Sequence, residues 1–395
     1  MNSKLSRRVN EMSTSATLAM AAKARELKEQ GKNIIGLSLG EPDFTIPEFV
    51  KEAAIEAIKK DFHSYSPVDG YANLKKAIIT KFKRDNNLTY APSQIVVSTG
   101  AKQSLANLAQ VLLNEGDEVL LPAPYWVSYA DISMLAGGVP VEIPASIATD
   151  FKITPEALEA AITPKTKMMI YSSPCNPSGS VFSKKELRAL ADVLVKYPDI
   201  IVVSDEIYEH INFTGEHVSM AAFEDMYDRT VTVNGVSKAF SMTGWRIGYI
   251  GAPEYIAKAC NKMQGQVTSG ANCIAQIATI TALENPPSKI QYMVDAFKER
   301  RKLILELLAA IPGFKTNEPE GAFYVFPDIS YYFGKTLKGK TIHSAQDFAI
   351  FLLEEAGVAT VTGEAFGDAN CIRISYAASE NDIKEAMRRI KEALS

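Results

Sequence analysis

Between Thr230 and Gly251 the chain reads TVTVNGVSKAFSMTGWRIGYIG. The apolar runs 230–234 and 246–251 have strand composition, and the turn between them, bounded by Gly and Ser, carries one lysine, Lys238. Most lysines are solvated surface groups. Lys238 stands among Val236, Ala239, Phe240 and Met242, which predicts partial desolvation, a lowered pKa and a share of neutral amine. A neutral amine condenses with an aldehyde. Arg246, further along the same segment, is placed to fold back as a phosphate clamp, and Ser237 adds a hydroxyl donor.

Outward from this segment, helix and strand patterns alternate. Residues 46–60 and 71–85 have helical periodicity, as does 184–196. Residues 94–98 form a strand pattern, and Thr99–Gly100 opens a helix running to Leu113. Short apolar runs at 118–121, 166–171 and 200–204 complete the set of expected strands before residue 230. Alternation of this kind predicts an α/β fold, a mostly parallel sheet sandwiched by helices. Beyond the ENPP punctuation at 284–287 the texture changes: a long charged helix at 288–310, short strands at 322–326 and 372–376, and helices at 344–356 and 380–393. This is read as a smaller α+β domain. The expected division is a large domain over 46–285 and a small one from 1–45 with 286–395. Periodicity alone does not place the N-terminal segment.

The chain has 395 residues, enough for two or three domains at roughly 150 residues each. With 42 Lys+Arg against 46 Asp+Glu, the net charge of −4 offers no basic footprint for nucleic acid. No apolar stretch has signal-peptide or membrane-spanning length. Cys175, Cys260, Cys273 and Cys371 are far apart and lack metal-ligand or disulfide-framework spacing, so no metal is expected, and a reducing compartment, the cytoplasm, is.

One pair of stretches imitates a nucleotide triphosphatase. Gly334–Thr341 (GKTLKGKT) matches the phosphate-loop pattern, and Ile200–Glu206 resembles an apolar strand ending in a magnesium-binding acid. The residues before Gly334 do not form a clean buried strand, which favours a cationic surface loop.

Several other motifs stand out. Asp205 closes the strand IIVVSD, where ligands of open α/β sheets bind; read alone it is equally a helix N-cap. Tyr208 follows three residues on. Asn176 lies in SSPCNPSG (172–179), Trp126 in PAPYW (122–126), and Gly100 with Ala101 and Lys102 in STGAKQ (98–103), a strand–helix turn suited to phosphate. Arg373 sits in CIRIS (371–375), where an arginine among apolar neighbours needs a carboxylate, internal or from a ligand.

Together these motifs resemble, in order and spacing, those of fold-type I, class I aminotransferases, which use pyridoxal 5′-phosphate. The resemblance runs from Ser15 to the last helix and is strongest to the bacterial aspartate aminotransferase branch. It implies that Lys238 bonds to the cofactor's aldehyde and later carries the substrate's α-proton. Asp205 is similar to the acid paired with the pyridine nitrogen, Tyr208 and Asn176 to the groups on the ring's phenolate oxygen, and Trp126 to the stacking indole. Gly100, Ala101, Lys102, Ser237 and Arg246 fall where the family binds the cofactor's phosphate end. The family pattern implies a cis peptide before Pro177, and Pro124 is a further candidate. Many relatives carry Ser three residues before the lysine, where Gly235 stands here.

The resemblance also implies a homodimer in which Tyr65 reaches the neighbouring subunit's phosphate site. Arg373 matches the arginine that grips the substrate α-carboxylate, Gly40 the glycine lining the substrate site, and Lys102, Ser15 and Thr17 the groups that recognise a distal carboxylate. Read alone, Lys102 is a helix-surface cation and Ser15 and Thr17 are helix caps. The expected activity is transfer of the amino group of L-aspartate to 2-oxoglutarate. The alternatives are the same chemistry on alanine, aromatic amino acids or prephenate, a β-elimination, a P-loop ATPase using Gly334–Thr341, or a non-catalytic binding domain.

Overall fold

The computed structural model describes residues 4–12 and 14–395. Its centre is a seven-stranded sheet in the spatial order Ile95–Ser98, Gly248–Gly251, Thr230–Gly235, Ile201–Asp205, Thr166–Ser172, Glu118–Ala123, Val139–Pro144. Only Gly248–Gly251 runs against the others. The inner strands are buried along nearly their whole length, which is why they read as continuous apolar runs rather than alternating ones. Alternate side chains serve opposite faces. Val119 and Leu121 pack with Leu105, Leu108 and Ile256, whereas Leu120 packs with Leu158, Leu187 and Leu190. Helices therefore cover both faces. One of them, Lys184–Leu194, shows how the sequence sets an end: Ser183 Oγ accepts from the Glu186 amide while the Glu186 carboxylate accepts from the Ser183 amide at 2.7 Å.

The C-terminal part gathers a separate apolar cluster around Phe297, Phe323, Phe348 and Ile374, between helices Gln291–Ala309 and Glu380–Leu394 and a three-stranded antiparallel sheet. The N-terminal segment joins it: Ile35–Gly36 pairs in parallel with Val358–Ala359. Helix Ala16–Glu29 precedes that strand and packs through Met20 and Ala24 against Ala349 and Leu353.

Some elements differ from expectation. Val139–Pro144 is an edge strand whose two prolines hide its strand character. The strand expected from 246 starts at Gly248, because Arg246 adopts a left-handed conformation with φ +57°. The helix expected over 344–356 is α-helical over Ala345–Phe351, widens to a π turn at Leu352–Ala356 and stops at Gly357, φ +66°. The phosphate-loop reading of Gly334–Thr341 is corrected: Thr336–Leu337 and Lys340–Thr341 form an antiparallel hairpin turning at Lys338 and Gly339. Lys340 is engaged there by Glu354 at 2.9 Å and Glu355 at 2.8 Å, so nothing of a strand–loop–helix cradle is present. Among the described residues no helix is long and apolar enough to cross a membrane.

Candidate active site

Because the parallel strands share one direction, the turns after Ser98, Ala123, Ser172, Asp205 and Gly235 all emerge at the same edge of the sheet. They surround a cavity of about 240 Å3. Lining it are Lys238, Asp205, Tyr208, Asn176, Trp126, Ala101, Lys102, Ser237, Arg246, Arg373, Gly40, Ser15 and Thr17. Gly100 sits just behind, against the Arg246 guanidinium. Tyr65 is elsewhere, on the loop before helix Ala72–Asn86, and its side chain is 99% exposed.

Lys238 donates to the Gly40 carbonyl at 2.5 Å and lies 5.8 Å above the Tyr208 ring. Burial, reinforced by the nearby Arg373 guanidinium, pushes its pKa down to about 8. Asp205 is buried at the last position of its strand. Its pKa is pushed up to about 6 by burial, against the opposing pull of a hydrogen bond from Tyr129 at 2.7 Å. The other carboxylate oxygen accepts from the Ile207 amide at 3.3 Å across a turn, and no helix begins there, so the N-cap reading of Asp205 is corrected.

Arg373 is fully buried on the strand Ile372–Ser375. It donates to Asn176 Oδ1 at 2.9 Å and to the Ser38 carbonyl at 2.6 Å, and lies 4.6 Å over the Tyr324 ring. Its Nε is buried without a hydrogen-bond partner. Tyr208 shares a 2.8 Å hydrogen bond with Tyr324, whose hydroxyl also occupies the space a side chain at Gly40 would need. Lys102 lies 4.8 Å over the Trp126 ring, and burial, then Arg246, lowers its pKa. Ser15 precedes helix Ala16–Glu29 without a side-chain cap bond, and Thr17 Oγ1 is buried without a partner. The peptide bonds before Pro124, Pro174 and Pro177 are cis.

The turn at Gly100 leaves a helix start without a side-chain cap beside Arg246. Gly100 has φ +82° and precedes helix Ala101–Leu112 without a side-chain cap. A Cβ on Gly100 would meet Arg246 Nη2 at 2.3 Å, and one on Gly248 would meet the Ala101 nitrogen at 2.1 Å. Glycine at both positions thus keeps the helix start open and the guanidinium beside it. Gly235 has a similar explanation, since a Cβ there would meet the Ile247 carbonyl oxygen at 2.8 Å. A side chain at that position has no room between these strands.

The family profile described as "Aminotransferase class I and II" matches residues 32–390. This chain belongs to that family. The aminotransferase is 48% identical to the aspartate/prephenate aminotransferase of Nitrosomonas europaea over 99% of its own length and all of the relative's. It is 46% identical to an aspartate aminotransferase of a Bacillus species, with 99% of each chain covered. Among solved structures, the aspartate aminotransferase of Rhizobium meliloti superposes with a TM-score of 0.95 at 44% identity, over 99% of this chain and 98% of that one. The Thermus thermophilus aspartate aminotransferase, solved with maleate, gives 0.93 at 42% identity over the full length of both.

The family's cofactor is pyridoxal 5′-phosphate. The donor set of this aminotransferase fits it: an open helix start with Ser237 and Arg246 for a phosphate, a buried acid for a ring nitrogen, and a weakly basic amine for an aldehyde. Sequence reasoning missed Tyr129 and Tyr324. Tyr129 stands one helical turn beyond Trp126, a spacing that could have flagged it, whereas Tyr324 comes from a distant strand with no local signature.

Proposed function

We propose that this aminotransferase moves the amino group of L-aspartate to 2-oxoglutarate, releasing oxaloacetate and forming L-glutamate in two half-reactions at one site. The observation that carries this reading is the meeting of Lys238, Asp205 and Arg373 on one cavity: a depressed amine, a buried acid and a buried guanidinium with an unsatisfied N–H. The names of the relatives, and the dicarboxylate maleate in the Thermus enzyme, support a dicarboxylic substrate.

Pyridoxal 5′-phosphate, when bound, supplies an aldehyde for the amine and a ring that accepts the electron pair left at the substrate's α-carbon. Gly100, Ala101, Ser237 and Arg246 would hold its phosphate, with Lys102 nearby and Tyr65 of a second copy completing the cradle in a homodimer. The near-total exposure of Tyr65 in the single chain supports that arrangement. Asp205 would hold a proton at the ring nitrogen. Tyr208 and Asn176 would donate to the ring oxygen, Asn176 through its amide nitrogen because its oxygen faces Arg373. Trp126 would cover one ring face. Lys238 Nζ takes the proton from the α-carbon and returns it on the way to product.

Arg373 grips the α-carboxylate through its remaining N–H groups beside Gly40. Lys102 faces the distal carboxylate, with Ser15 and Thr17 as hydroxyl partners. The chain divides into a large domain, 46–285, and a small one, 1–45 with 286–395, of which residues 1–3 and 13 lie outside the described residues. The apolar cluster around Phe323, drawn mostly from 286–395 with Tyr208 and Ile211 reaching in from the large domain, supports that division. Four free cysteines, three of them buried, are consistent with a cytoplasmic setting. The test follows the product of each pair by chromatography: oxaloacetate from aspartate, pyruvate from alanine, phenylpyruvate from phenylalanine, and the amino product when glutamate is paired with prephenate. Aspartate with 2-oxoglutarate should give turnover well above that with alanine, phenylalanine or glutamate–prephenate pairs. Dicarboxylate donors no better than alanine would overturn the substrate assignment.

A further inference from the structure

We propose that Gln264 and Thr268, one turn apart at the end of helix Glu254–Val267, are positioning residues that hold two distant phosphate-binding segments in register. One segment is the loop 65–71, which presents Tyr65. The other is the turn 99–101 at the start of helix Ala101–Leu112. The inference rests on the phosphate reading given above.

Gln264 is fully buried. Its Nε2 donates to the Val68 carbonyl at 2.6 Å and to the Val97 carbonyl at 2.8 Å, and its Oε1 accepts from Asn107 Nδ2 at 3.0 Å. One amide thus ties the Tyr65 loop, the strand leading into the phosphate turn and the helix leaving it, using both of its N–H donors. The Val97 amide donates to the Asp69 carbonyl at 3.1 Å, so the loop lies along that strand. Gly70, with φ +98°, lets it pass where a Cβ would meet Val97 Cγ2 at 2.6 Å. Thr268 makes the second tie. Gln103 Nε2 donates to Thr268 Oγ1 at 2.5 Å, while Gln103 Oε1 accepts from the Thr99 amide, also at 2.5 Å. Both phosphate-binding segments therefore hang from one helix end.

A phosphate bound by the 99–101 turn of one chain and Tyr65 of the other needs both segments at fixed positions in each subunit. Tyr65 projects into solvent, so its placement comes from the backbone behind it, and Gln264 grips that backbone three residues on. A purely structural role would weaken binding of any ligand in the cavity. A role in phosphate register weakens only ligands that carry the phosphate.

The experiment compares full-length wild type, Gln264→Met and Thr268→Val, each stripped of cofactor. Dissociation constants are measured for pyridoxal 5′-phosphate and for pyridoxal in phosphate-free buffer. Wild type should prefer the phosphorylated aldehyde strongly. Gln264→Met should cut that preference by about tenfold and Thr268→Val by about threefold, with pyridoxal affinity unchanged within about twofold. Should Gln264→Met fail to fold, Thr268→Val, at an exposed position, decides alone. An unchanged preference, or equal losses for both aldehydes, overturns the proposal. A wild type with no preference contradicts the phosphate site itself, which is a separate result.

Discussion

The phenol of Tyr129 donates to the Asp205 carboxylate over 2.7 Å, with both groups buried. The bond favours the ionised acid and works against burial, which drives the pKa upward. Tyr129→Phe removes the donor and leaves the burial, so the acid should ionise at higher pH. The acidic limb of the kcat/KM profile should shift upward, and activity near neutrality should fall by about tenfold, a usual scale for one hydrogen bond to a charged group. A steady-state pH profile checks this. An unmoved limb would show that the phenol does not tune the acid.

The same acid carries a stability cost in the cofactor-free protein. Its folded pKa of about 6 lies above the unfolded value of about 4, so folding favours the protonated form. Stability is then lost as pH rises through that window and is lowest above it. Asp205→Asn should stabilise the cofactor-free chain by on the order of 2 kcal/mol at pH 7, and by nearly nothing at pH 4, while abolishing most activity. Thermal unfolding at the two pH values is the measurement. A stabilisation that does not depend on pH would contradict the assignment.

Lys102 faces the cavity over the Trp126 ring, with its ammonium destabilised by burial and by Arg246. Exposed to the cavity rather than enclosed, that cation is placed to meet a second carboxylate. Lys102→Met should raise KM for aspartate by about a hundredfold and leave monocarboxylic donors within about threefold, because only the dicarboxylate loses a charged partner. Equal losses for aspartate and alanine would place Lys102 in general cofactor binding.

Much of this architecture is legible in the chain itself. The inner strands are buried on both faces, so their apolar runs are unbroken and easy to find; Asp205 ends one of them, and the turns that follow carry Asn176 and Lys238. Legibility fails where structure depends on distant partners. Val139–Pro144 pairs on one side only, which tolerates its prolines and hides the strand. Ile35–Gly36 is a strand only because Val358–Ala359 receives it. The hairpin at Thr336–Thr341 is the reverse case, a local pattern with glycine and lysine at the right spacing that the residues before Gly334 already count against. Tyr324 reaches Tyr208 across 116 positions, a meeting that no local pattern encodes.

The central claim is that Lys238 bonds covalently to a pyridoxal aldehyde. Protein incubated with pyridoxal 5′-phosphate, reduced with borohydride and digested should yield one peptide, containing Lys238, heavier by the reduced cofactor, and Lys238→Ala should yield none. Modification confined to other lysines, or a Lys238→Ala protein labelled to the same extent, would contradict the account.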